Sequence, residues 1–208
     1  MNGNELAESR GLPRLAGKIK RALGPAGVFF RGFLEHPRMV GAIAVSSPAV
    51  VKAMLEPVDW ANTKLFVEYG PGVGTFCQPV LDRLPGDGEL LVIDTNPLFI
   101  DYLRKTIKDS RFHAVLGSAE DVEEIVKSIG HEKADYVLSG LPFSTLPDGI
   151  GARIAAATQR VIRKGGAFLT YQYTGAAREY SKRYFSRVDT SRVWANIPPC
   201  TLAWGWQD

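Results

Sequence analysis

Between Lys64 and Tyr173 the hydrophobic pattern switches repeatedly between the two-residue period of a strand and the 3.6-residue period of a helix. Strand patterns cover Lys64–Glu68, Gly88–Ile93, Phe112–Leu116, Ala134–Leu138 and Ala167–Tyr173. Helical patterns fill the gaps at Thr75–Leu84, Pro97–Ile107, Ala119–Ile129 and Gly149–Ile162. Strands separated by helices make βαβ units and a parallel sheet. The end of the chain differs: Val188–Trp194 and Thr201–Trp206 are strand patterns joined by Asn196-Ile197-Pro198-Pro199. That link is too short for a crossover helix, so it predicts an antiparallel hairpin. Ser47-Pro48 carries an N-cap with proline at the first helical position and starts a helix through Leu55. This is an α/β fold.

The first strand runs into Glu68-Tyr69-Gly70-Pro71-Gly72-Val73-Gly74. Glycines here let a backbone approach a ligand closely. The dinucleotide fingerprint wants G-x-G-x-x-G, but here the third glycine comes one residue early and Thr75 holds its place. Glu68, just before the turn, would repel a pyrophosphate and favour a cation. Asp94 ends the second strand, where a carboxylate takes the hydroxyls of a ribose. Gly117-Ser118-Ala119-Glu120-Asp121 ends the third. Ligands of open α/β sheets bind at these carboxyl ends, so three such features in succession point to one nucleoside-bearing, cationic ligand.

Charge separates the ends of the 208-residue chain. Residues 1–40 hold seven Lys/Arg against three acids, a net +4, while the remainder is −1 and the whole +3. Leu12, Leu15, Ala16, Ile19, Ala22 and Leu23 recur at helical spacing, with Arg10, Arg14, Lys18 and Arg21 on the other face. This predicts a cationic amphipathic helix directed at an anionic partner. The longest apolar run nearby, Met39–Val45, is far short of the ~20 residues that span a bilayer. No apolar h-region marks a secretory signal. Two distant cysteines, Cys77 and Cys200, fit a reducing compartment. His36, His113 and His131 show no ligand spacing, so no metal is expected.

On the glycine turn, Asp94 and Ser118-Ala119, residues 45–208 resemble the class I S-adenosylmethionine-dependent methyltransferases. The resemblance implies a Rossmann-like, seven-stranded, mostly parallel sheet with an antiparallel C-terminal hairpin. It also implies S-adenosyl-L-methionine as cofactor, held by Glu68, Tyr69, Gly70, Gly72, Gly74, Asp94, Thr95, Ser118, Ala119 and Gly140. Many relatives have G-D-A where this chain has Gly117-Ser118-Ala119, so Glu120 or Asp121 is expected to replace the missing carboxylate.

The fourth strand ends in Ser139-Gly140-Leu141-Pro142-Phe143-Ser144-Thr145-Leu146-Pro147. Adenine N6-methyltransferases carry [N/D/S]-x-P-[Y/F] there; here glycine replaces the polar residue. With its flanks, the segment resembles the bacterial phospholipid N-methyltransferases, which are similar to the rRNA adenine dimethyltransferases. Gly41-Ala42-Ile43-Ala44-Val45-Ser46-Ser47 and Val193-Trp194-Ala195-Asn196-Ile197-Pro198-Pro199 resemble further segments of that family. The implied activity is N-methylation of a phospholipid amine, phosphatidylethanolamine toward phosphatidylcholine, at the inner face of the cytoplasmic membrane.

Phe143, Tyr171 and Tyr173 then become the expected walls of an amine pocket, since aromatic faces attract ammonium groups by about 0.5–2 kcal/mol. The competing expectation for Phe143 is a core anchor of the loop. Tyr69, Tyr171, Tyr173 and Asp148 are open alternatives for a base. Residues 1–45 would be a membrane-associating segment, with Arg14, Lys18 and Arg21 on anionic lipid, and 46–208 the catalytic domain. A second basic helix with Arg178 and Arg183 is expected to hold the lipid phosphate. The alternative activity is RNA adenine N6-methylation, against which Gly140 argues.

Overall fold

The computed structural model describes residues 47–172, 176–196 and 199–208. The expected N-terminal helix, with Arg14, Lys18 and Arg21, and the expected pocket residue Tyr173 lie outside the described residues. In chain order the elements are α1 (Pro48–Leu55), β1 (Leu65–Tyr69), α2 (Cys77–Leu81), β2 (Glu89–Asp94), α3 (Pro97–Thr106), β3 (Phe112–Leu116), α4 (Val122–Ser128), β4 (Ala134–Ser139), α5 (Ile150–Val161), β5 (Ile162–Gln172), α6 (Ala176–Tyr184), β6 (Arg187–Val193) and β7 (Cys200–Trp206).

The seven strands form one sheet in the order β3-β2-β1-β4-β5-β7-β6. Strands β1 to β5 pair in parallel, and β7 pairs antiparallel with both β5 and β6. The chain winds outward from β1 to β3, then restarts at β4 on the other side. That reversal falls between β1 and β4, and doubly wound sheets take their ligands at the carboxyl ends of such a pair.

Alternation along the strands supplies the two faces. Phe66, Leu90, Val92, Leu138, Leu169 and Trp204 pack with Met54 of α1, Val80 of α2 and Leu103 of α3. Val67, Leu91, Val137 and Phe168 pack with Val126 of α4, Ile154 of α5 and Ala177 of α6. The central strands are buried on both faces, β1 and β4 without exception, as a parallel sheet between helices requires. Both expected caps form: Ser47 Oγ accepts from Val50 N–H and Asn96 Oδ1 from Leu98 N–H, each ahead of a first-turn proline.

Three element starts depart from the pattern by two or more residues. The helix expected from Thr75 starts at Cys77, because Gly74 sits at φ 82° and closes a turn first. The helix expected from Ala119 starts as a 3-10 turn, Ala119–Asp121, capped by Ser118. Strand β5 begins five residues early at Ile162, with a bulge where its pairing shifts between Ala134 and Tyr136.

Candidate active site

Three backbone hydrogen bonds tie the strand ends together: Gly70 N–H donates to Ile93 O, Gly140 N–H to Tyr69 O, and Gly117 N–H to Asp94 O, at 2.9–3.0 Å. The glycine turn follows directly. Gly70 takes φ 62°, which calls for glycine, and a Cβ on it would also displace Leu141 Cδ2, 2.9 Å away. Gly72 and Gly74 also take positive φ.

Glu68 and Tyr69 point to opposite faces of β1. Glu68 is 1% exposed, and its Oε2 accepts from the Cys77 thiol at 3.7 Å. Burial raises its pKa to about 8; the thiol opposes this and the Asp94 charge adds to it. The same burial, with the Glu68 charge, pushes the Cys77 thiol well up. Asp94 lies at the neighbouring strand end. Burial raises its pKa, while the N–H groups of Asn96, Gly72 and Thr95 hold it down. Asp94 Oδ1 accepts from Asn96 N–H at 2.8 Å.

This arrangement fits S-adenosyl-L-methionine. A buried carboxyl, costly to ionise alone, complements an ammonium group. A half-buried carboxylate beside it suits ribose hydroxyls. A Cβ on Gly72 would meet nothing within 4 Å, so the turn leaves open space on its outer side.

Several expected residues are placed differently. The Tyr69 ring is fully buried on the other face, and its hydroxyl shares a hydrogen bond with Thr158 Oγ1 at 3.2 Å. Burial pushes that phenol far above its usual range, so Tyr69 offers the site its backbone and no base. Thr95 is exposed after Asp94. Ser118 Oγ accepts from Glu120 N–H, and Ala119 is buried in the core. Glu120 is ion-paired with Arg153 at 2.5 Å, which commits it to α5; Asp121 is exposed.

Phe143, expected as a pocket wall, is a core residue. It is 5% exposed, with its ring 6.3 Å from Phe168 and 5.6 Å from Tyr180. The stiff loop turns the ring inward and pins the loop to β5 and α6. Tyr171 lies beside the ends of β1 and β4. Its ring lies 5.1 Å from Phe76, behind the glycine turn. A Cβ built on Gly140 would lie 2.7 Å from Tyr171 Oη and 2.9 Å from Gly70 O. The tyrosine hydroxyl therefore fills the slot that a side chain at position 140 would need.

Arg178 and Arg183 meet different partners. Helix α6 leaves the carboxyl end of β5 and leads to Arg187, which lies level with Ala167 through Trp206. Arg178 is in its first turn, facing Glu179 at 3.4 Å; Arg183 is in its last, over the Tyr184 ring. Asp148 is exposed on the proline loop.

One organising residue carries no sequence signal. Gln172 Nε2 donates to Leu141 O at 2.8 Å, and its Oε1 accepts from Ala177 N–H at 3.1 Å. It clamps the proline loop to the start of α6 from 31 residues away. Among the described residues no group of three or more His, Cys, Asp or Glu side chains is arranged to hold a metal ion.

No protein-family model matches the chain. A curated relative, the ornithine lipid N-methyltransferase of Singulisphaera acidiphila, is 26% identical over 174 residues, covering 83% of this chain and 91% of the relative. Among solved structures, an O-methyltransferase family protein from Burkholderia thailandensis superposes with a TM-score of 0.64 at 17% identity, over 95% of this chain and 68% of that one. A TehB-like S-adenosylmethionine-dependent methyltransferase from Corynebacterium glutamicum gives 0.62 at 13%, over 87% and 99%. The N-methyltransferase NodS from Bradyrhizobium japonicum gives 0.61 at 12%, over 77% and 97%. With the Glu68 and Asp94 strand ends around a glycine turn in this topology, the chain has the fold of the S-adenosylmethionine-dependent methyltransferases it superposes on, and in sequence it is similar to a lipid N-methyltransferase.

Proposed function

We propose that this methyltransferase transfers a methyl group to the primary amine of a membrane lipid head group, phosphatidylethanolamine toward phosphatidylcholine, at the inner face of the cytoplasmic membrane. The observation that carries the reading is the Gly140–Tyr171 pair. Enzymes that methylate a planar adenine amine receive it with a polar side chain at the first position of the loop motif. Here the Tyr171 hydroxyl stands in that space. A phenol both donates and accepts, and its ring face suits an alkyl ammonium. Similarity to an ornithine lipid N-methyltransferase supports a lipid amine, and makes an ornithine head group the rival within the same class.

The cofactor supplies an electrophilic methyl on a sulfonium. The protein's task is alignment, which is mostly proximity. Glu68 would hold the cofactor's ammonium group and Asp94 its ribose hydroxyls, and Gly70 and Gly140 would let it lie against the strand ends. Tyr171 Oη accepts a hydrogen bond from the substrate nitrogen and turns its lone pair toward the methyl. A primary amine has a pKa near ~10.4, so it loses a proton to solvent before attack, and the hydroxyl then orients the neutral amine by accepting one of its N–H groups. No helix among the described residues is long and apolar enough to cross a membrane. A peripheral role would instead use Arg14, Lys18 and Arg21 on anionic lipid.

The test offers labelled cofactor with vesicles of phosphatidylethanolamine, vesicles of ornithine lipid, and total RNA in parallel. Label in the phosphatidylethanolamine arm is the expected result. Label in the ornithine arm alone changes the head group, and label in RNA overturns the reading. Tyr171→Phe should lower lipid turnover about tenfold, the loss of one hydrogen bond worth about 1.4 kcal/mol, with unchanged cofactor affinity.

A further inference from the structure

Two large apolar side chains stand exposed among the described residues, Leu116 at 51% and Trp194 at 70%. Leu116 pairs in register with Asp94 and belongs to the cofactor edge. Trp194 belongs to no part of that site. It follows the last residue of β6, Val193, which is buried, and precedes buried Asn196, whose Oδ1 accepts from Ser47 N–H at 3.3 Å. The tip Trp194-Ala195 is therefore held from both sides while its indole faces water. The Arg192 guanidinium lies 4.5 Å from the indole centroid.

The sheet topology decides which way this tip points. Strand β6 is antiparallel to β7, and β7 to β5, so β6 runs in the direction of β5. Arg192 is level with Thr201, and Thr201 with Gln172 at the end of β5. Trp194 thus emerges on the same edge of the sheet as the glycine turn and the proline loop. Three strand spacings separate it from the end of β4, about 14 Å.

We infer that Trp194 with Arg192 forms a docking rim that seats this edge on an anionic lipid bilayer. An indole has an apolar body and a polar N–H, and tryptophan is enriched at the head-group level for that reason. A guanidinium stacked on its face brings a cation to the lipid phosphates at the same depth. A lipid whose amine enters at β4 while its acyl chains stay in the bilayer requires this edge to lie on the surface; in that respect the inference rests on the amino-lipid reading. A second copy of the chain is the poorer occupant. A stable dimer needs about 800 Å² per partner with an apolar centre, and beyond Trp194 the edge strand exposes Asp189, Thr190, Ser191 and Arg192.

The experiment uses the full chain, its Trp194→Phe and Trp194→Ala variants, and mixed zwitterionic and anionic vesicles with brominated acyl chains. Trp60, Trp204 and Trp206 serve as internal references. Brominated vesicles should quench a fraction of the emission of the unsubstituted protein, and that fraction should vanish in Trp194→Phe. Trp194→Ala should lower turnover on vesicles roughly tenfold while leaving turnover on a monomeric short-chain amino-lipid unchanged. Equal quenching in both proteins overturns the inference, as does an equal loss on vesicles and monomers. A lower sedimentation coefficient for Trp194→Ala without vesicles assigns the tip to a second copy and also overturns it. Trp194-dependent quenching with no turnover on any amino-lipid supports the docking rim and removes the substrate reading; turnover without such quenching does the reverse.

Discussion

Glu68→Gln should make the cofactor-free protein more stable, and the gain should grow with pH. The carboxyl is buried and its pKa is raised to about 8, against 4.5 in an open chain. Below pH 4.5 it is protonated folded and unfolded, and it contributes no difference. Between 4.5 and 8 the unfolded chain ionises while the fold holds the proton, so stability falls as pH rises, by about 1.4 kcal/mol per pH step. At pH 7 the accumulated cost is about 3 kcal/mol. Glutamine keeps the shape, still accepts from the Cys77 thiol, and never ionises. Its melting temperature should therefore exceed that of the unsubstituted protein by roughly 6–12 °C at pH 7. The two should converge near pH 5. The same substitution should remove most cofactor affinity, because an amide oxygen is a poor substitute for a carboxylate facing an ammonium group. Scanning calorimetry from pH 5 to 8, with cofactor titration at each pH, makes the measurement. A melting gap that does not change with pH, or a variant less stable throughout, refutes the argument that this carboxyl is stored in the fold against its own preference.

Cofactor affinity of the unsubstituted protein should rise with pH up to about 8, because binding an ammonium group selects the ionised Glu68; a flat profile by calorimetric titration contradicts that. Asp94→Ala should weaken the cofactor at least tenfold while leaving the melting temperature within a few degrees, since its side chain caps a turn outside the core. Phe143→Ala should cost about 3–5 kcal/mol of stability as a core truncation, and cofactor affinity should fall with it; loss of lipid turnover without loss of stability restores the pocket-wall role. Removing residues 1–24 should spare cofactor binding and abolish vesicle flotation, and equal flotation of both proteins means that segment is not the anchor.

Much of the fold was legible because it is written in local periods. The alternation of strand and helix, the caps at Ser47 and Asn96, and the short link before β7 each act within a few residues, so their signal survives in one dimension. Glu68, the glycine turn and Asp94 were legible as a group because a parallel sheet brings successive strand ends to one edge. What sequence could not decide was the direction of side chains. Tyr69 and Glu68 are adjacent, yet the two-residue period sends one into the core and the other to the site. Phe143 reads equally as wall or anchor until Phe168 and Tyr180, which come from β5 and α6, surround it. The glycine at position 140 reads as a missing polar group until Tyr171, on the neighbouring strand, is found in the space it vacates. Gln172 and Trp194 gain their roles only from the strand order, which sets them on the active edge. Local chemistry determined the elements and put two acids at neighbouring strand ends; the packing of residues distant in the chain decided which side chains reach that edge and which enter the core.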